Sequence, residues 1–249
     1  MIFRQFLHAS PIAASYLFGC GGQSQCVVVD PVDEIKPYLQ ASHVTGMRIV
    51  YVIDTLVHAD HVSGGRALAR AVGAPYLVHE SVGGPEHSRL RDAQEMTVGN
   101  VTLRVLHTPG HTPEHVCLLV TDRTRGPEPW FVLTGHTLMV GDMGRTELAT
   151  SAEDGARALF DSATQLRQLP DFVEVCPGAF AGSVCGRRLS GKASSTIGFE
   201  RRFNQGFSTR DRETFVRLMM TEIPPRPPNA EAIRTANMNA IREAPPVTN

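Results

Sequence analysis

The sequence predicts a single α/β domain spanning residues 1–249, with sheets covered by helices. Three observations carry this. Short β-rich runs and longer helical stretches intermix in both halves of the chain. No internal repeat occurs at a solenoid period. No linker is long enough to divide the chain, and sandwiches of this length form one unit.

In chain order, Tyr16-Leu17-Phe18, Val27-Val28-Val29 and Ile49-Val50-Tyr51-Val52-Ile53 are β-branched or aromatic runs bounded by Gly, Pro or Asp, and read as strands. Between the last two, Val32 to Ser42 carries Ile35 and Leu39 at helical spacing. Ser63 is placed to cap a helix with Ala67, Leu68 and Ala71 on one face, stopped by Gly73 and Pro75. Further strands are expected at 75–78, 101–107, 115–121 and 130–134. A helix follows over 151–168, with Asp154 in its first turn, where the helix dipole favours negative charge. Val173–Cys176 reads as a strand and 177–191 as a Gly-rich loop. Helices are expected at 194–204 and 211–220. From about residue 223 the chain is Pro-rich (Pro224, Pro225, Pro227, Pro228), with a short helix over 229–238 and a frayed end at Pro245–Asn249.

With 42% hydrophobic and 20% charged residues the chain can bury a substantial core. The formal net charge of −1 gives no reason to expect nucleic acid or an anionic membrane as partner. No apolar run approaches the roughly 20 residues that span a bilayer. Residues 1–8 lack the pattern of a secretory signal, so the expectation is a cytoplasmic protein. The five cysteines, Cys20, Cys26, Cys117, Cys176 and Cys185, are odd in number and form no C-x-x-C pair. Cys185, in Gly182-Ser183-Val184-Cys185-Gly186, is the candidate reactive thiol; the other four read as small buried hydrophobes.

Chemistry concentrates in three segments. Residues 54–65 read Asp-Thr-Leu-Val-His-Ala-Asp-His-Val-Ser-Gly-Gly. Later come Thr108-Pro109-Gly110-His111-Thr112-Pro113-Glu114-His115 and Thr134-Gly135-His136-Thr137-Leu138. Together with residues 141–148 and 194–198, these resemble the metallo-β-lactamase superfamily over roughly residues 1–240, and within it the persulfide (sulfur) dioxygenase branch with its rhodanese-fused relatives. The resemblance implies an αββα four-layer sandwich of two mixed sheets flanked by helices. It also implies a metal site fed by loops at one sheet edge; in the dioxygenase branch, one iron is held by two histidines and an aspartate.

Three positions depart from the pattern. Leu56 stands at the first histidine of His-x-His-x-Asp-His, His136 at the bridging aspartate of Gly-Asp-x-Leu, and Ala179 at the histidine of Pro-x-His-Gly-Ala-Gly-Ser. The losses speak against a dinuclear site and leave a mononuclear one open. His58, His111 and His136 are the candidate ligands, since three imidazoles suit Fe(II), Zn(II) or Cu(II) and leave positions open for water, substrate or O2. Exchanging carboxylate for imidazole removes one negative charge, which strengthens the cation as a Lewis acid and raises its redox potential. His61 and Asp60 are candidates for a second metal position or for a structural loop role, Asp60 also for a catalytic base. Arg145 is the candidate substrate-binding residue, its alternative being an ion pair with Glu147. Arg187, Arg188, Arg201 and Arg202 read as a solvated basic face, and His115 as structural.

Three functions stay open. The first is a mononuclear iron oxidoreductase acting with O2 on a thiol or persulfide-like small molecule. The second is a single-zinc hydrolase of a thioester, lactone or ester, with Asp60 as base. The third is a metal-free member of the fold. Fe(II) is the favoured cofactor, Zn(II) the alternative, and a homodimer is left open.

Overall fold

The computed structural model describes residues 1–83, 89–221, 223, 225–226 and 228–242. Pro224, Pro227, His87 and the expected frayed end at Pro245–Asn249 lie outside the described residues.

The strands form two six-stranded sheets. The first runs β1 (Ile2–Ala9), β2 (Ile12–Cys20), β3 (Gln25–Val29), β4 (Arg48–Ile53), β5 (Tyr76–His79) and β6 (Arg89–Leu90). It is antiparallel through β1–β3 and parallel from β3 onward. The second comprises β7 (Glu95–Val98), β8 (Val101–His107), β9 (Val116–Asp122), β10 (Phe131–Gly135), β13 (Glu174–Pro177) and β14 (Ser195–Thr196), with β10 and β13 its parallel pair. A small ribbon, β11 (Leu138–Met139) with β12 (Asp142–Met143), follows β10.

Strand alternation builds the layers, because successive side chains point to opposite faces. Ala14, Tyr16 and Phe18 of β2 meet Val116, Leu118 and Val120 of β9 between the sheets, while Leu17 points the other way. There Leu17 joins Tyr38 of α1 (Lys36–Thr45), Leu68 of α2 (Gly65–Val72) and Ile241 of α7 (Ala230–Arg242). In the second sheet, Cys117 and Val132 face outward to Leu159 and Phe160 of α3 (Ala152–Leu166), Ile197 of α4 (Ile197–Phe203), Phe207 of α5 (Gln205–Ser208) and Phe215 of α6 (Arg212–Met220). The result is the four-layer αββα sandwich of two mixed sheets. Each fully buried Leu, Val or Phe in these interfaces contributes about 1.5–3 kcal/mol.

Most expected elements stand within a few residues of their predicted limits, and the differences have physical causes. The first helix starts at Lys36 rather than near Val32, because Val32 bridges Ser63 and Pro37 suits the first turn. The expected helix over 194–204 loses its start to β14, whose Ser195 and Thr196 pair with β13. Thr196 then caps α4 by accepting from Phe199 N–H. Edge strands β1 and β7 were not expected. β1 is largely half-buried and shows no clean two-residue period.

Candidate metal centre

Four loops bring the candidate residues to one rim of the sandwich: the segments after β4, β10 and β13, and the turn between β8 and β9. Cross-sheet hydrogen bonds fasten the rim, Val116 N–H donating to Thr55 O (2.8 Å) and Ala14 N–H to Gly178 O (2.7 Å). The peg of the first loop is Asp30, which directly follows β3. It accepts Thr55 N–H (2.7 Å), Thr55 Oγ1–H (2.8 Å) and the Nε2 of His58 (3.1 Å). Asp30 adopts a left-handed backbone, φ 51°, uncommon outside glycine and tolerated best by Asn and Asp. With Nε2 committed to Asp30, the Nδ1 of His58 is the nitrogen left to face the site, the arrangement by which carboxylates orient ligand imidazoles.

His136 is the hub. On one side its Nδ1 lies 3.2 Å from His111 Nε2, and ligand atoms of His111, His136 and Cys185 lie within 4.8 Å of one another. On the other, its Nε2 lies 3.9 Å from Asp60 Oδ2, and His58, Asp60 and His136 form a second trio of the same size. A third trio, Asp30, Asp54 and His58, lies behind. Thus His58 and His111 fall in different trios joined through His136, while His61 reaches the centre by a tilted ring contact with His58 (centroids 4.2 Å apart) and through Asp60 (3.1 Å). All of these histidines are buried.

His136 is held tightly. Its backbone N–H donates to His115 Nε2 (3.0 Å), so His115 is a scaffold residue, its Nδ1 lying against Thr108 and Thr137. Gly135 precedes it at φ 47°, and a Cβ there would sit 2.5 Å from His115 Nε2 and 2.6 Å from Thr55 Oγ1. Gly178 packs against the His136 ring from the β13 side.

Burial sets the electrostatics. It lowers His111 to about 3, aided by His136, and His136 to about 4 against the pull of Asp60. Burial also keeps His115 neutral. At His58 burial is outweighed by Asp30 and then Asp60, which hold the imidazole well above its usual range. At Asp60 burial is outweighed by its imidazole neighbours, His61 first, so the carboxylate stays ionised. Burial and Asp60 push the Cys185 thiol well up.

Six buried atoms here have no hydrogen-bond partner among the described residues: His58 Nδ1, both Asp60 oxygens, both His61 nitrogens and His136 Nε2. Orphaned donors and acceptors that face one another are costly unless something bridges them. Lone-pair nitrogens, a carboxylate and a thiol around one hub fit a single borderline cation. They do not fit two, because Leu56 and Ala179, both buried, offer no donor where the resemblance calls for histidines.

Helix α7 closes the rim, which the sequence did not signal. Asn237 donates to the carbonyls of His58 and His61 (both 2.9 Å) and accepts Ser63 N–H (3.0 Å). Arg234 donates to Val57 O (3.0 Å) and pairs with Glu114, which accepts Val57 N–H (3.0 Å). Beside this clamp a cavity of about 410 Å³ is lined by Ala59, Leu148, Arg226, Glu231, Arg234 and Met238. Arg145 is buried; its guanidinium donates to Glu147, Val184 O (3.0 Å) and Pro225 O (3.2 Å), and its carbonyl accepts from His111 Nδ1 (2.7 Å). The Arg187 side chain pairs with Asp142 (3.0 Å) and lies largely buried, which corrects its assignment to a solvated face.

The sequence pattern of the Metallo-beta-lactamase superfamily matches residues 12–178. The chain belongs to that superfamily. It is similar to the ETHE1 protein of Myxococcus xanthus, whose crystal structure superposes with a TM-score of 0.82 at 32% identity, covering 96% of this chain and 98% of that one. The human mitochondrial persulfide dioxygenase ETHE1 is 25% identical over 248 residues, 98% of this chain and 91% of the relative. A hydroxyacylglutathione hydrolase of Synechococcus is 32% identical over 154 residues, 60% of this chain and 57% of the hydrolase. Among the described residues no helix is long and apolar enough to cross a membrane.

Proposed function

We propose that this superfamily member is a mononuclear metal-dependent oxidoreductase that acts with O2 on a small thiol or persulfide. The observation that carries this is the extent of the likeness. The match to the human persulfide dioxygenase spans 98% of this chain and so extends over the helical second half, whereas the Synechococcus hydrolase matches only 60% of the chain. The absence of donors at Leu56 and Ala179 weighs in the same direction, against a two-metal hydrolytic centre.

In this reading His136 and His111 hold the ion, with His58 Nδ1, Asp60 and His61 around it. Fe(II), when bound, would activate O2 by electron transfer, the electrons that reduce O2 coming from the substrate sulfur, which is oxidised. Asp60, held ionised by its imidazole neighbours, would balance the cation's charge in this reading. Asp30 orients His58, and the Arg145 carbonyl fixes the tautomer of His111. The cavity beside Ala59 offers Arg226 to a thiol that carries carboxylates, Arg234 being paired with Glu114 and Glu231 lying in the same wall. Arg145 would reach such a substrate only by leaving Glu147.

The test is metal analysis of protein purified without added metal, followed by oxygen uptake with glutathione persulfide. Stoichiometric iron with oxygen uptake is expected. Zinc without uptake, together with thioester cleavage, would move the assignment to the single-zinc hydrolase that the Synechococcus relative favours. Failure to bind metal even after reconstitution would leave the metal-free alternative.

A further inference from the structure

Cys185 reaches the centre from the Gly-rich loop after β13, far in sequence from the motif histidines. It is buried at 1% exposure, and its sulfur, a His111 nitrogen and a His136 nitrogen lie within 4.8 Å of one another. One residue fastens two of the three. Arg145 N–H donates to Cys185 O (3.2 Å), its Nη1 donates to Val184 O (3.0 Å), and its carbonyl takes His111 Nδ1–H (2.7 Å). That bond leaves His111 Nε2 with its lone pair turned toward His136. A second, independent sign of a ligand is the Asp60 carboxylate, 5% exposed, whose two oxygens have no hydrogen-bond partner among the described residues and whose charge bears on Cys185.

We infer that Cys185 is a protein ligand of the cation, completing a His111–His136–Cys185 site in place of donors absent at Leu56 and Ala179. The inference rests on the single-cation reading above, though not on the reaction assigned to it. Two imidazoles and a thiolate select a borderline divalent ion such as Fe(II), Co(II) or Zn(II) over Mg(II) or Ca(II). On loading, the S–H bond breaks, a metal–sulfur bond forms and one proton leaves.

The test is titration of metal-free protein with Co(II), followed by absorption spectroscopy and by proton release in weak buffer. Wild type is expected to bind one ion, to show a near-ultraviolet thiolate-to-cobalt charge-transfer band, and to release about one proton more than Cys185→Ser. Cys185→Ser should lack the band and bind Co(II) at least about 100-fold more weakly, since even groups that only support ligands cost 10–100-fold. Cys26→Ser, altered in the distant core beside α1, should keep both. Circular dichroism checks that each variant is folded; the wild-type band decides independently of either. Co(II) bound by wild type without the band, or a Cys185→Ser variant that keeps band and affinity, would overturn the role of Cys185 and leave the single-cation reading standing. Wild type that binds none of Co(II), Fe(II) or Zn(II) would overturn both.

Discussion

The carbonyl oxygen of Arg145 accepts the Nδ1–H of His111 at 2.7 Å, and the same residue's guanidinium is tied to Glu147, Val184 O and Pro225 O. One buried arginine thereby couples a candidate ligand to the loop that carries Cys185. A lysine has no planar fork to serve the same partners at once. Arg145→Lys is expected to cost on the order of 1–3 kcal/mol in denaturant unfolding and 10–100-fold in metal affinity. Unchanged stability and affinity would show that the fork positions nothing.

Gly135 is predicted to be the least replaceable residue of the rim. An alanine would place its Cβ 2.5 Å from His115 Nε2 at a backbone φ of 47°. Gly135→Ala should destabilise the fold by about 3 kcal/mol or more, through strain combined with loss of the His136 N–H bond to His115. A melting temperature within a degree or two of wild type would contradict this.

Asn237 can be tested by a near-isosteric change. Asn237→Leu removes the partners of His58 O, His61 O and Ser63 N–H together. Leaving buried polar groups unpaired should cost on the order of 2–4 kcal/mol, and metal affinity should fall because the motif loop loses its clamp. Equilibrium unfolding and metal titration measure the two effects separately.

The pH dependence of chelated, metal-free protein has a definite sign. Burial holds His111 at about 3 and His136 at about 4 in the folded state, below the ordinary 6.5. The unfolded chain therefore binds more protons between these limits, and stability present above about pH 6.5 is lost as pH falls toward 4. Each group adds up to about 1.4 kcal/mol per pH unit. His58 shifts the opposite way; its contribution is complete below 6.5 and is lost as pH rises through its raised folded value. Urea midpoints measured from pH 4 to 8 should rise with pH across the acid half; a flat profile would mean that the histidines are not buried neutral.

Much of the architecture was legible because it follows from local pattern. Val27-Val28-Val29 and Ile49–Ile53 are strands by composition and bounding residues alone, and Ser151 and Asp211 cap helices as short polar side chains do. Edge strands β1 and β7 escaped, since a strand paired on one side is stabilised by its neighbour more than by its own pattern. His58, Asp60, His61, His111 and His136 were legible from motif residues on three loops. Asp30 had only a weak signal, a carboxylate at the carboxyl end of a buried strand. Asn237 and Arg234 had none, because their partners lie 174 to 179 residues and 120 to 177 residues away in the chain.

By itself the sequence determined the superfamily, the layered α/β fold and the fact that ligand positions had changed at Leu56, His136 and Ala179. Those properties depend on residue type and on short-range spacing. Only the tertiary structure decided how the surviving donors group, with His136 at the hub, His111 and Cys185 on one side, and His58 and Asp60 on the other. That grouping depends on distances of a few ångströms between loops that meet only when two sheets pack face to face, and no spacing along the chain encodes it.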